Sequence, residues 1–282
     1  MPDTTLVSAR TLRDHMADPD WAIFDLRHDL SDPSYGESSY QAGHIPGARF
    51  LHLDRDLSGS KTGTNGRHPL PDSDHFAALL ACHGVGPRTQ IVAYDAHGGM
   101  FASRLWWMAR WIGHEAAAVL DGGLLAWLRE GGELSTDPAP LCQPTTLPVG
   151  KPLVRTVTAD DLLVNLRNPT LQVVDARSPD RYRGENETID PVGGRIPGAA
   201  NRFFKDNLEE DGRFKSSVQL QAEWLPRLGN LSADRVVSQC GSGVTACHNL
   251  LALEVAGLPG AALYPGSWSE WCSDLSRPIE RG

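Results

Sequence analysis

The run Cys240-Gly241-Ser242-Gly243-Val244-Thr245 carries the residues best suited to chemistry. The run before it, Arg235-Val236-Val237-Ser238-Gln239, reads as a strand, and residues 246–256 read as a helix. A thiol therefore stands on a glycine-bearing turn between a strand end and a helix start. Glycine lets the backbone curl so that successive N–H groups point inward, toward the sulfur. The helix N-terminus adds partial positive charge. Such a setting favours the thiolate, which is the reactive form. The expected chemistry is covalent catalysis by Cys240, held in an anion-binding cradle. A cysteine phosphatase would use a similar cradle but needs an arginine six positions after the cysteine, where this chain has Ala246.

The elements that position this loop belong to a repeat. Trp21-Ala22-Ile23-Phe24-Asp25-Leu26-Arg27 followed by Gly43-His44-Ile45-Pro46-Gly47-Ala48 is answered by Leu171-Gln172-Val173-Val174-Asp175-Ala176-Arg177 and Gly194-Arg195-Ile196-Pro197-Gly198-Ala199. Residues 89–95 answer 235–240, and Leu120-Asp121-Gly122-Gly123 before Trp127 answers Tyr264-Pro265-Gly266-Ser267 before Trp271. Repetition in this order implies two copies of one unit. Short apolar runs at 21–25, 90–94 and 117–120, then 171–175, 235–239 and 261–264, read as strands. Helical patterns lie between them, including 100–112 and 246–256. Strands alternating with helices imply parallel sheets covered on both faces. Residues 136–152 are rich in Pro and Thr without periodicity and read as a linker. Asp95 stands where the first copy would have its cysteine, so only the second copy can carry thiol chemistry.

The chain has 282 residues, 40% hydrophobic and 22% charged, as expected of two globular domains. A net charge of −9 argues against nucleic acid and anionic membrane surfaces as partners. The five cysteines are scattered, with no CxxC pair and no zinc-ligand spacing, which suggests neither a disulfide framework nor a metal site. With no signal-like start and no long apolar run, a cytoplasmic location is expected.

Taken together, these landmarks resemble the rhodanese/sulfurtransferase family over essentially the whole chain. The resemblance implies an α/β protein of two tandem rhodanese-like domains, each a parallel sheet flanked by helices on both faces. The domains expected are an inactive one at 1–135, a linker at 136–152 and a catalytic one at 153–282. It also implies a mechanism: Cys240 takes sulfur from a small anionic donor as a persulfide. A thiol such as thioredoxin or glutathione, or cyanide, then removes it. No metal or organic cofactor is implied. Backbone N–H groups from Gly241 through Gly243 and Val244 to Thr245 are expected to host the anionic persulfide. The uncharged pair Gly241-Ser242 resembles the mercaptopyruvate branch, whereas the thiosulfate branch has a basic pair there. In the mercaptopyruvate branch Ser242 would join an Asp and a His from the first domain. The matching residues are Asp54, in Phe50-Leu51-His52-Leu53-Asp54, and His68, in Arg67-His68-Pro69-Leu70-Pro71. The His would carry a proton and the Asp would fix its tautomer. The alternatives are a thiosulfate sulfurtransferase and a non-catalytic binding module.

Arg181, in Asp180-Arg181-Tyr182-Arg183, is expected on a loop near the strand ends and implied as the donor's cationic contact. The mercaptopyruvate branch carries a second arginine nine residues later, where this chain has Asp190. Asp190 is therefore expected to repel an anionic donor, with Arg183 or Arg195 as candidate compensation. The better donor is still expected to be mercaptopyruvate, by a reduced margin. Asp25, Arg27, Asp175 and Arg177 are expected to tie loops together. Cys247 is expected to fill core. Trp268 or Trp271 either walls the pocket or packs in the core.

Overall fold

The computed structural model describes residues 1–139 and 141–282, so Pro140, within the expected linker, lies outside the described residues. The chain divides into two compact units. The first comprises Met1–Ser58, Pro71–Leu153 and Glu209–Phe214; the second comprises Gly59–Leu70, Val154–Leu208 and Lys215–Gly282. Each unit thus includes a short segment from the opposite half of the sequence. His68 and its neighbours count with the second unit.

In the first unit the strands are β1 (Leu6–Val7), β2 (Trp21–Asp25), β3 (Arg49–Phe50), β4 (Gln90–Tyr94) and β5 (Ala117–Leu120). They form a five-stranded sheet in the order β1-β5-β4-β2-β3, all pairs parallel. In the second unit β6 (Arg155–Thr156), β7 (Gln172–Asp175), β8 (Ala200–Asn201), β9 (Val236–Gln239) and β10 (Ala262–Leu263) repeat that order as β6-β10-β9-β7-β8, again all parallel. The expected strands are all present; those at 21–25, 90–94 and 117–120 keep their bounds, and the three of the second unit are trimmed. Arg235 is lost to a 3-10 turn at Ala233–Arg235 that feeds β9.

Parallel strands covered by helices are buried along their length. Every residue of β4 and of β9 is buried. The first core gathers Ile23, Val92, Tyr94, Ala118 and Leu120, and the second Val173, Val237, Ala262, Tyr264, Trp268 and Trp271. Helix Ala102–Trp111 hides eight of its ten residues, Ala102 to Ala109, which is why its aromatic run is core and not a surface face. Each large apolar side chain so buried contributes roughly 1.5–3 kcal/mol. Trp268 and Trp271 are fully buried, so of the two readings open for them core packing holds.

The strand-end acid–base pairs are local clamps. Arg27 bonds Asp25 and donates to the Gly43 carbonyl at 2.7 Å, and Arg177 bonds Asp175 and donates to the Gly194 carbonyl, also at 2.7 Å. In each unit this fixes the loop that leaves the strand beside the central one.

Candidate active site

Cys240 directly follows β9, the central strand of the second sheet. The carboxyl ends of central parallel strands are where open α/β sheets present ligands. Its side chain is almost wholly buried, at 1% exposure. Two backbone donors reach the sulfur: the N–H of Gly243 at 3.2 Å and that of Ser242 at 3.4 Å. Helix Thr245–Val255 begins immediately after, with its N-terminus at the end of the loop.

The loop is held from behind by helix Ser267–Trp271. The N–H groups of Trp268 and Ser269 donate to the carbonyls of Cys240 and Gly241 at 3.0 and 2.9 Å. Ser267 Oγ accepts the Cys240 N–H at 3.1 Å. With its carbonyls turned to that helix, the loop presents N–H groups on its other face. Ser267 has φ +54°, unusual for a residue with a side chain, and that backbone places its Oγ between Cys240 and the Tyr264 carbonyl. Gly243 has φ +79°, and a Cβ there would lie 2.4 Å from the Pro265 carbonyl oxygen. No other residue fits that position without moving the turn.

His68 and Ser242 are both buried, and His68 Nδ1 lies 2.7 Å from Ser242 Oγ. This joins two residues 174 positions apart in sequence. The strand of chain that carries His68 is seated by its own backbone. Gly66, at φ +87°, approaches Gly266 so closely that a Cβ would lie 2.8 Å from the Gly266 carbonyl oxygen. One residue on, the Arg67 N–H donates to Ser269 Oγ at 2.9 Å. Asp54 belongs to the first unit, on the turn after β3, where its N–H donates to His52 Nδ1 at 3.0 Å. Val244 and Thr245 are buried at the helix start.

The segment around Arg181 is a helix, Pro179–Arg183, and not the expected loop. Proline in its first turn presets φ, Asp180 suits the N-terminal end, and Gly184 at φ +79° ends it. Arg181 lies near the cradle: a Cβ on Gly241 would be 3.5 Å from its Nη2. Its guanidinium is already forked onto Glu187, with Nε and Nη2 within 2.8–3.2 Å of the carboxylate oxygens.

Asp190 is not the unopposed negative charge expected. It accepts from Arg67 Nη1 at 2.5 Å and from Arg181 Nη2 at 3.2 Å, and its side chain is 3% exposed. Burial nonetheless pushes its carboxyl above the ordinary range, against the pull of Arg67. Arg183 and Arg195 do not compensate for a missing arginine. Arg183 pairs with Glu185 at the surface, and Arg195 pairs with Glu280 and covers the Tyr182 ring. Reading the sequence missed Arg67, Glu187 and Ser267. The one available signal was that Arg67 adjoins His68.

Cys247 packs in the core and donates to the Gly243 carbonyl at 3.3 Å. Burial pushes the Cys272 thiol up to about 11. Among the described residues, no group of three or more His, Cys, Asp or Glu side chains could hold a metal ion.

Comparison with known proteins agrees with this geometry. The rhodanese-like domain family matches residues 8–130 and 158–274. A Pseudomonas aeruginosa protein named probable 3-mercaptopyruvate sulfurtransferase is 44% identical over 284 residues, covering all of both chains. The thiosulfate sulfurtransferase of Cricetulus griseus is 35% identical, covering 93% of this chain and 89% of its own. Among solved structures, the 3-mercaptopyruvate sulfotransferase of Escherichia coli superposes with a TM-score of 0.81 at 32% identity, covering 94% of this chain and 99% of that one. Two parallel sheets of identical order, one bearing a cradled cysteine, and matches to both halves place this chain in the rhodanese family, as a tandem-domain sulfurtransferase similar to the 3-mercaptopyruvate enzymes.

Proposed function

We propose that this protein takes sulfur from 3-mercaptopyruvate onto Cys240 and passes it to a thiol, such as glutathione or thioredoxin, or to cyanide. The observation that carries this reading is the Cys240 sulfur facing two backbone N–H donors beside the paired His68 and Ser242. The Cys240 thiolate attacks the donor's sulfur, the C–S bond breaks, and the carbon leaves as the pyruvate enolate. The donor's thiol proton moves to that enolate, giving pyruvate and an anionic Cys240 persulfide. The hydrogen-bonded Ser242 and His68 supply a route for this proton. The acceptor thiolate or cyanide then attacks the outer sulfur and returns the Cys240 thiolate, a two-step covalent cycle.

Gly241 and Ser242 are uncharged, which suits a monoanionic keto acid better than dianionic thiosulfate. The likeness to enzymes named for mercaptopyruvate supports the same donor. No helix among the described residues is long and apolar enough to cross a membrane. Mass spectrometry after incubation with mercaptopyruvate is expected to show Cys240 heavier by one sulfur, about 32 Da. Cys240→Ser is expected to abolish turnover with mercaptopyruvate and with thiosulfate, and the wild type to show the higher kcat/KM for mercaptopyruvate. Turnover surviving in Cys240→Ser, or sulfur mapped to Cys82, Cys142, Cys247 or Cys272, would overturn the mechanism.

A further inference from the structure

We infer that Arg67 is a specificity-determining residue that binds the donor's anionic group beside Arg181. This rests on the sulfurtransferase reading above and deepens it.

The two guanidinium groups converge on one point beside the nucleophile. A Cβ built on Gly241, the residue after Cys240, would lie 3.0 Å from Arg67 Nη2 and 3.5 and 3.7 Å from Arg181 Nη2 and Nη1. The absence of a side chain at Gly241 keeps that point open. Both arginines still reach solvent, with side chains 24% and 19% exposed, so an incoming ion can meet them.

They differ in what they can still offer. A guanidinium grips a carboxylate best with two parallel N–H groups, and the Nε/Nη2 edge is one such pair. In Arg181 that edge is occupied by Glu187, through both Nε and Nη2. In Arg67 the ion pair with Asp190 runs through Nη1, and Nε is buried with no hydrogen-bond partner among the described residues. Nη2, the Arg67 atom nearest Gly241, takes no part in that ion pair and can meet an arriving anion. The Arg67 backbone is pinned to Ser269 and its Nη1 to Asp190, so the remaining edge is held near Gly241 before any donor binds. Asp190 thereby positions Arg67 and does not repel the donor. The ligand class is a small sulfur donor carrying a compact planar anion, a carboxylate above all.

The test compares 3-mercaptopyruvate with mercaptoacetone, which replaces the carboxylate by a methyl group, using cyanide as acceptor and the full chain. Arg67→Met is expected to raise KM for mercaptopyruvate roughly 10- to 100-fold, the loss typical of a charged hydrogen bond. Its kcat should stay within about threefold, because the interaction is made before and during the chemical step alike. Arg67→Lys, which keeps stem and charge but loses the fork, should fall between Arg67→Met and wild type. Its partial recovery separates donor binding from a folding defect. Mercaptoacetone should lose less than about threefold in kcat/KM in either variant. An unchanged KM for mercaptopyruvate in Arg67→Met, or equal losses for both donors, would overturn the inference and leave the Cys240 chemistry standing. Failure of the wild type to form a Cys240 persulfide from mercaptopyruvate would instead overturn the proposed function, and this inference with it.

Discussion

The loops after β4 and β9 occupy the same place in two sheets of the same strand order, yet they do opposite things with it. After β9 the side chain is a thiol, and two N–H groups approach its sulfur. After β4 it is Asp95, whose carboxylate accepts four backbone N–H bonds, from His97, Gly99, Phe101 and Ala102, at 2.7–3.0 Å. Counted along the side chain, a carboxylate oxygen stands one atom beyond a cysteine sulfur. That is the position of a persulfide's outer sulfur. The first unit thus carries, as a permanent part of its chain, a carboxylate where the proposed Cys240 persulfide would place its outer sulfur. The cradle belongs to the fold, and the strand-end residue decides whether it is a site or a structural tie.

This comparison can be broken most sharply at the loop glycines. Gly243→Ala must move the turn away from the Pro265 carbonyl, and displacing the donors around Cys240 should lower kcat/KM about 100-fold. Gly98→Ala, at φ +69° in the Asp95 loop, should cost about 1 kcal/mol of stability while leaving turnover within about twofold. Equal effects on turnover would show that the two cradles are not functionally divided. A smaller effect is expected from Asp95→Ala, which leaves buried N–H groups unsatisfied. Stability should fall by about 2 kcal/mol in urea titration, with sulfur transfer per folded molecule unchanged. If stability were untouched, the carboxylate would not be the tie described here.

A further contrast concerns thiols away from a cradle. Cys272 is raised to about 11 by burial, so at pH 8 only about one molecule in a thousand carries its thiolate. Alkylation of Cys272 by iodoacetamide should be negligible within an hour at pH 8 and should grow as pH rises toward 11. Rapid modification of Cys272 at pH 8 would show that burial does not suppress this thiol. A matching test on the charge network is Asp190→Arg. A third guanidinium beside Arg67 and Arg181 in a buried position should destabilise the protein by about 3 kcal/mol and should not improve donor use.

Much of this molecule is legible in local pattern. Short β-type runs alternating with helical ones imply parallel sheets, and recurrence of Asp-x-Arg and Ile-Pro-Gly-Ala implies two copies. Cys240 between Val236–Gln239 and Thr245–Val255 stands out as the proposed nucleophile, because thiol, glycines and helix start are contiguous. Helix Pro179–Arg183 was hidden by its brevity: five residues hold too little periodicity to be read.

The sequence by itself determined the fold and the cradle and pointed to Cys240 as the proposed nucleophile, since each depends on residues near one another in the chain. The charges around the cradle were decided only by tertiary structure. Arg67 and Asp190 lie 123 positions apart, and no spacing rule connects them. Read alone, Asp190 is a negative charge in a donor's path. Folded, it is buried between two guanidinium groups and orients one of them. The physical reason is that electrostatic effect depends on distance and burial, which a linear order of residues does not contain.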